Sequence, residues 1–179
     1  LFIDGARMGY GLASEGCDVT MNDIARLADV FYIGGTKQGA LFGEAVVIVN
    51  DALKKDFRYC IKQNGGMLAK GRLLGLQFEQ LLKGGDNCLY FELARHANAM
   101  AAKIRKAFED KGIAMWIDSP TNMQFPLLTK EQQEILGRKY VPEFWGRFDG
   151  ERDIMRFCTS WATKPENVDE LCNDIAMML

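Results

Sequence analysis

The order of apolar and polar residues divides this chain into short apolar runs and longer one-sided helices. Residues 1–3, 30–33 and 45–49 are apolar runs bounded by polar or small residues, the pattern of buried strands. Between the first two, Ile24, Leu27 and Ala28 form a helical face behind Thr20, with Asp23 placed to complete a cap. Strand, helix and strand in that order predict a parallel pair joined by a crossover. Asn50 or Asp51 is expected to cap a helix reaching about residue 62, which Gly65-Gly66 breaks. Residues 67–82 predict another helix, stopped at Gly84-Gly85. Asp86 or Asn87 opens the longest one, to residue 111, where Leu93, Ala97, Met100, Ile104 and Phe108 recur on one face. Gly112 closes it as a C-terminal glycine does.

From residue 113 the pattern changes. Strands are expected at 113–117, 122–127, 140–148 and 154–158, with helices near 130–136 and 166–178. This half reads as a smaller α+β unit joined to the first through the long helix. No internal repeat or low-complexity segment interrupts either half.

Composition narrows the function classes. Hydrophobic residues make up 48% of the 179 and charged residues 26%, ordinary values for a globular protein. A net charge of -2 argues against nucleic-acid binding, which needs a basic face. No apolar run is long enough for a membrane span, and the first residues lack the regions of a signal peptide. The chain has no initiator methionine and opens inside a strand, so a piece of a longer protein is expected. Five scattered cysteines without a C-x-x-C pair fit a reducing cytoplasm, and a single histidine, His96, offers no metal site.

The candidate chemistry gathers at Lys37. It follows one apolar run, precedes another, and is flanked by Gly34, Gly35 and Gly39. A phosphate-binding loop is ruled out by order, because Thr36 precedes the lysine and Gln38 follows it. A dinucleotide fingerprint fails too, since Gly9-Tyr10-Gly11 would need glycine where Ser14 stands. An exposed, inert loop lysine is one reading. The other is a lysine whose apolar, water-restricted setting lowers its pKa from about 10.4, so that the free amine attacks carbonyls.

Asp4 bears on that choice. It ends the strand before the crossover and Lys37 follows the strand after it, so a parallel pair turns both toward the same crevice. An aspartate for a pyridinium nitrogen and a lysine for an aldehyde are what pyridoxal 5'-phosphate requires. A plain turn role for Asp4, before Gly5, stays open.

Asp4-Gly5-Ala6-Arg7, Ile33-Gly34-Gly35-Thr36-Lys37 and Gly65-Gly66-Met67 resemble the L-threonine aldolase branch of the β-eliminating lyases. So do Arg95-His96-Ala97-Asn98-Ala99 and the run from Met155 through Arg156 to Trp161, which extends the resemblance over nearly the whole chain. It implies the α/β aspartate-aminotransferase fold, with residues 1–85 as the C-terminal part of the large cofactor-binding domain. Residues 86–112 would be the connecting helix and 113–179 the small α+β domain. Lys37 resembles the Schiff-base lysine, Asp4 the ring-nitrogen partner, and Arg7 the arginine beside the cofactor or substrate carboxylate. Arg156 resembles the arginine that grips the substrate α-carboxylate, a task suited to its planar fork. Alternation alone leaves Arg156 open to an outward, solvated place. Thr36 is a candidate donor to the cofactor phosphate, and His96 fits packing better than catalysis.

The resemblance implies cleavage of β-hydroxy-α-amino acids to glycine and an aldehyde, in a homodimer or homotetramer. Two departures stand out. Met67 is followed by Leu68 and Ala69 where the family often has an arginine, with Lys70 and Arg72 nearby, and Thr159-Ser160 replaces a threonine–histidine pair. The family's phosphate loop and ring-stacking histidine have no counterpart here, so the catalytic base is unassigned. A β-eliminating lyase of the same cofactor is the alternative activity, and a non-catalytic binding protein is the alternative class.

Overall fold

The computed structural model describes residues 1–179, which divide into two compact units, Leu1–Leu93 and Ala94–Leu179. The first unit is built on β1 (Phe2–Ile3), β2 (Val30–Gly34) and β3 (Glu44–Ile48), in the order β1-β2-β3. β1 and β2 are parallel, with Phe2 opposite Val30 and Ile3 opposite Phe31, as the strand–helix–strand order predicts. β3 returns antiparallel to β2. Phe31 and Ile33 point to the buried face, where Met8, Ala28, Leu81, Cys88 and Tyr90 join them. The expectation that 45–49 is a buried strand fails, because Val46 and Val49 are exposed and the rest of β3 is at most half-buried.

Two helices fill the crossover. α1 (Met8–Leu12) has no clear sequence signal, since two of its five residues are glycines. α2 (Met21–Leu27) starts as expected, with the Thr20 hydroxyl accepting from Asp23 N and Asp23 answering to Thr20 N. Beyond β3 the expected helix to residue 62 is divided. A 3-10 turn, Asp51–Leu53, is capped by Asn50, and Asp56 at φ 58° separates it from α3 (Phe57–Gln63). The next helix, α4 (Arg72–Leu82), begins later than residue 67, because Gly65, Gly66 and Gly71 keep the approach in turns.

α5 (Leu89–Asp110) runs across the division between the units, and a short 3-10 turn at Gly85–Asn87 delays its start. In the second unit its face of Ala97, Met100, Ile104 and Phe108 is buried, and Gly112 at φ 71° ends it. The sheet there is built around β7 (Arg152–Cys158), with β4 (Met123–Gln124) and β5 (Leu127–Thr129) antiparallel to it. β4 and β5 keep a single register against β7, from Met123 opposite Cys158 to Thr129 opposite Arg152. The strand expected at 122–127 is interrupted at Pro126, which has no N–H to give the ladder, and it runs on to Thr129. β6 (Glu143–Arg147) is shorter than expected, starting after Pro142, and also pairs with β7. Residues 113–117 make only a single bridge, Met115 to Pro126, instead of a strand. α6 (Lys130–Gly137) and α7 (Pro165–Met178) match expectation, and Leu136, Val168, Leu171 and Ile175 complete the core with Phe108 and Phe157.

Candidate active site

In the first unit, the ends of β1 and β2 approach so closely that side chains are excluded. Gly34 N donates to the Gly5 carbonyl at 2.9 Å. A Cβ on Gly5 would overlap the Tyr32 carbonyl oxygen, and one on Gly34 would sit 2.5 Å from the Ala6 carbonyl oxygen. Only glycine fits either place, and the contact fixes where the chain turns out of each strand.

Asp4 stands at that turn, exposed, with its carboxylate held. The Ala6 amide donates to Oδ1 at 3.0 Å, and the Tyr32 hydroxyl donates to the same oxygen. The Tyr32 hydrogen bond, then the Ala6 amide, then the charges of Lys37 and Arg7 keep the Asp4 carboxyl below its usual range. The same bond pushes the Tyr32 phenol up to about 12. Asp4, Lys37 and Arg7 therefore share one electrostatic neighbourhood, although they come from different ends of the crossover. Arg7 is half-buried, and its Nε is buried without a hydrogen-bond partner.

The loop carrying Lys37 is fixed through its backbone. Gln38 N and Ala40 N both donate to the Gly35 carbonyl, at 2.8 and 3.0 Å, and Gly35 N donates to Glu44 Oε2 at 2.7 Å. The Tyr10 hydroxyl donates to the Lys37 carbonyl. Gln38 is buried, with Nε2 donating to the Tyr90 carbonyl at 2.9 Å, and Tyr90 accepts at its hydroxyl from Gly9 N. Lys37 and Thr36 point outward and are exposed. The expectation of an enclosed, water-restricted lysine is corrected here: β2 buries Phe31 and Ile33, β3 on the other side is exposed or at most half-buried, and residues 36 and 37 sit exposed on the turn between them. The Thr36 hydroxyl reaches the Gly43 carbonyl only at 3.5 Å, the limit of a hydrogen bond.

In the second unit, Arg156 lies on β7 directly opposite Glu143 of β6, and its Nη2 donates to Glu143 Oε2. Its guanidinium lies 4.8 Å from the centre of the Trp145 ring, and its Nε is buried without an acceptor. The side chain is 18% exposed, which sets aside the outward, solvated place that alternation left open. His96 contacts the Thr163 carbonyl through Nε2 at 2.8 Å, a tie within the same unit, and Thr159 is buried against the carbonyls of Ala97 and Asn122.

No protein-family profile matches the sequence. The low specificity L-threonine aldolase of Pseudomonas aeruginosa is 33% identical over 180 residues, covering 100% of this chain and 50% of that protein. The solved threonine aldolase of Leishmania major is 44% identical and superposes with a TM-score of 0.92 over 99% of this chain and 51% of its own. The chain is homologous to the threonine aldolases. It spans about half the length of the relatives it matches. The serine palmitoyltransferase of Sphingomonas wittichii, 11% identical with a TM-score of 0.62, covers 99% of this chain and 46% of its own and shares the fold. The fold class expected from the sequence, α/β of the aspartate-aminotransferase type with mixed sheets, is the one found.

Several residues that shape this candidate site escaped the sequence reading. Tyr32 was legible in principle: in a parallel pair with Ile3 opposite Phe31, Asp4 comes next to Tyr32. The register supplies that step, and the sequence does not print it. Tyr10, Gln38 and Tyr90 act through backbone atoms distant in sequence, for which no local spacing exists. Glu143 and Trp145 lie in the run expected as a strand but carried no signal pairing them with Arg156.

Proposed function

We propose that this chain carries the lysine-bearing part of a pyridoxal-phosphate-dependent carbon–carbon lyase. Its substrates would be β-hydroxy-α-amino acids such as L-threonine or L-allo-threonine, cleaved to glycine and an aldehyde. One observation carries the reading: Asp4, Arg7 and Lys37 leave two paired strand ends locked together at Gly5 and Gly34, and the Lys37 and Arg7 charges both act on the Asp4 carboxyl. The names of the aligned relatives support it.

The residues present fit the cofactor. The hydrogen bonds from the Tyr32 hydroxyl and the Ala6 amide hold the Asp4 carboxyl below its usual range, which suits a partner for a protonated ring nitrogen. The unpartnered Arg7 Nε is a donor waiting for an acceptor. When bound, pyridoxal phosphate supplies the electron sink that bond cleavage at Cα requires. Lys37 Nζ is the amine that would hold the cofactor's aldehyde carbon, and the same amine would carry a proton at that site. Its exposure gives it the freedom both tasks need. Thr36 stands one residue away with a hydroxyl for the phosphate, and Arg156 grips the substrate α-carboxylate.

In this reading residues 1–85 end the large cofactor-binding domain, 86–112 connect, and 113–179 form the small domain. A homodimer or homotetramer in the cytoplasm goes with it. The exposed Leu41, Phe42, Leu68 and Leu73, which with Leu74 line an apolar groove of about 410 Å³, support a covered face. No helix is long and apolar enough to cross a membrane.

The test is reductive trapping. Borohydride treatment of the holoenzyme should add the mass of the reduced cofactor to the peptide containing Lys37. Lys37→Ala should lose that label and at least about a hundredfold of threonine cleavage. A label on another lysine would overturn the assignment.

A further inference from the structure

Arg156 already holds a carboxylate, and that carboxylate is its own neighbour's. Glu143 faces it across the β6–β7 ladder and accepts from Nη2. Nε is buried and donates to nothing. A guanidinium carries five donors in one plane, so this one is only partly used. Glu143 is 56% exposed, and an ion pair so open to water is readily exchanged.

The neighbouring backbone is built to aim the arginine. The register between β6 and β7 slips between Phe144 and Gly146, which leaves Trp145 as the extra residue of a β-bulge. A bulge re-aims one side chain, and here the ring comes to lie over the Arg156 guanidinium at 4.8 Å. Phe125, buried beneath, braces it edge-on, with ring centres 5.5 Å apart and planes at 61°. With its central carbon over the indole, the guanidinium keeps its Nε N–H free at its edge, and an edge is what a carboxylate binds in two-pronged fashion.

We propose that Glu143 is a resident competitor for the substrate's α-carboxylate at Arg156, and that Trp145 is the positioning residue that keeps the guanidinium edge turned toward whichever carboxylate occupies it. Substrate binding is then an exchange of one carboxylate for another. The arginine is never left bare, and its affinity for amino acids is set by the difference between the two partners. This inference rests on Arg156 being the substrate grip.

Steady-state kinetics of the holoenzyme separate the two ideas. Glu143→Gln should lower KM for threonine about two- to fivefold with kcat nearly unchanged, the size of one exposed ion pair. Trp145→Leu should raise KM, and Trp145→Phe should recover part of the loss. Tryptophan emission should change when glycine is titrated in, and Trp145→Phe should abolish the change. In an Arg156→Gln background, Glu143→Gln should no longer lower KM, because competition needs the cation. If it still does, Glu143 acts through its general field and the exchange is refuted. If Arg156→Gln itself leaves KM unaltered, the grip reading fails and this inference with it. If Arg156→Gln raises KM while Glu143→Gln and Glu143→Asp leave it unchanged or higher, the grip stands and the competitor is refuted.

Discussion

Asp4 and Lys37 are held by opposite means. Asp4 has its side chain tied, by the Tyr32 hydroxyl and the Ala6 amide, whereas Lys37 has its carbonyl tied by Tyr10 and its side chain free. A ring-nitrogen partner must stay still and charged, and a transferring amine must move. Tyr32→Phe tests the first half. Its ring, tilted against Phe2 at 6.0 Å, survives the change, but the largest cause of the depressed Asp4 pKa is lost. The Asp4 carboxyl should then rise toward the ordinary carboxylate range, so the acid limb of cofactor binding should move to higher pH. Titrating the apoenzyme with pyridoxal phosphate across pH 3–6 measures this, and an unmoved limb would mean that Tyr32 does not tune Asp4. Lys37 and Asp4 were legible in the sequence because each follows an apolar run at a glycine. Tyr32 was not, because it reaches the site only through the pairing of two strands.

Elements were legible where one local rule decided them. The Thr20–Asp23 box, the one-sided face ending at Phe108 and the glycine at 112 each match a helix boundary or surface. Where two rules competed, the tertiary structure chose. Residues 113–117 are apolar enough for a strand, yet only Met115 finds a bridge partner. Residues 123–129 keep one register against β7 although Pro126 divides them into two strands. The face of α5 also sets what a single truncation costs. Phe108 is fully buried, with its ring 5.1 Å from that of Phe157 on β7. Phe108→Ala should destabilise the second unit by about 3–5 kcal/mol, read as a lower denaturant midpoint. A loss under about 1 kcal/mol would mean that the core closes around the gap.

Across the whole molecule, carboxylates on helices, turns and one strand titrate below their usual range. Asp23, lowered to about 2, is held first by Thr20, Asp153 by Lys130, and Asp174 by Lys139. Asp51 and Asp149 shift the same way. A folded-state pKa below the unfolded value stabilises at pH above about 3.9 and is lost as pH falls through the folded value. Stability should therefore be nearly level from pH 5 to 8 with respect to these groups and fall steadily between about pH 4 and 2. Urea midpoints across that range give the slope, and a midpoint that holds at pH 2.5 would contradict it. The crossing of β1 and β2 carries a different consequence. A methyl at Gly5 strikes the Tyr32 carbonyl, and one at Gly34 strikes the carbonyls of Gly5 and Ala6, so backbone blocks both and no side chain can swing aside. Neither clash is relieved by changing the other glycine. Descendants of this sequence can exchange residues along either strand face, but at these two places drift has no intermediate to pass through. The chemistry proposed at Asp4 and Lys37 could be lost in a lineage long before the crossing that presents them.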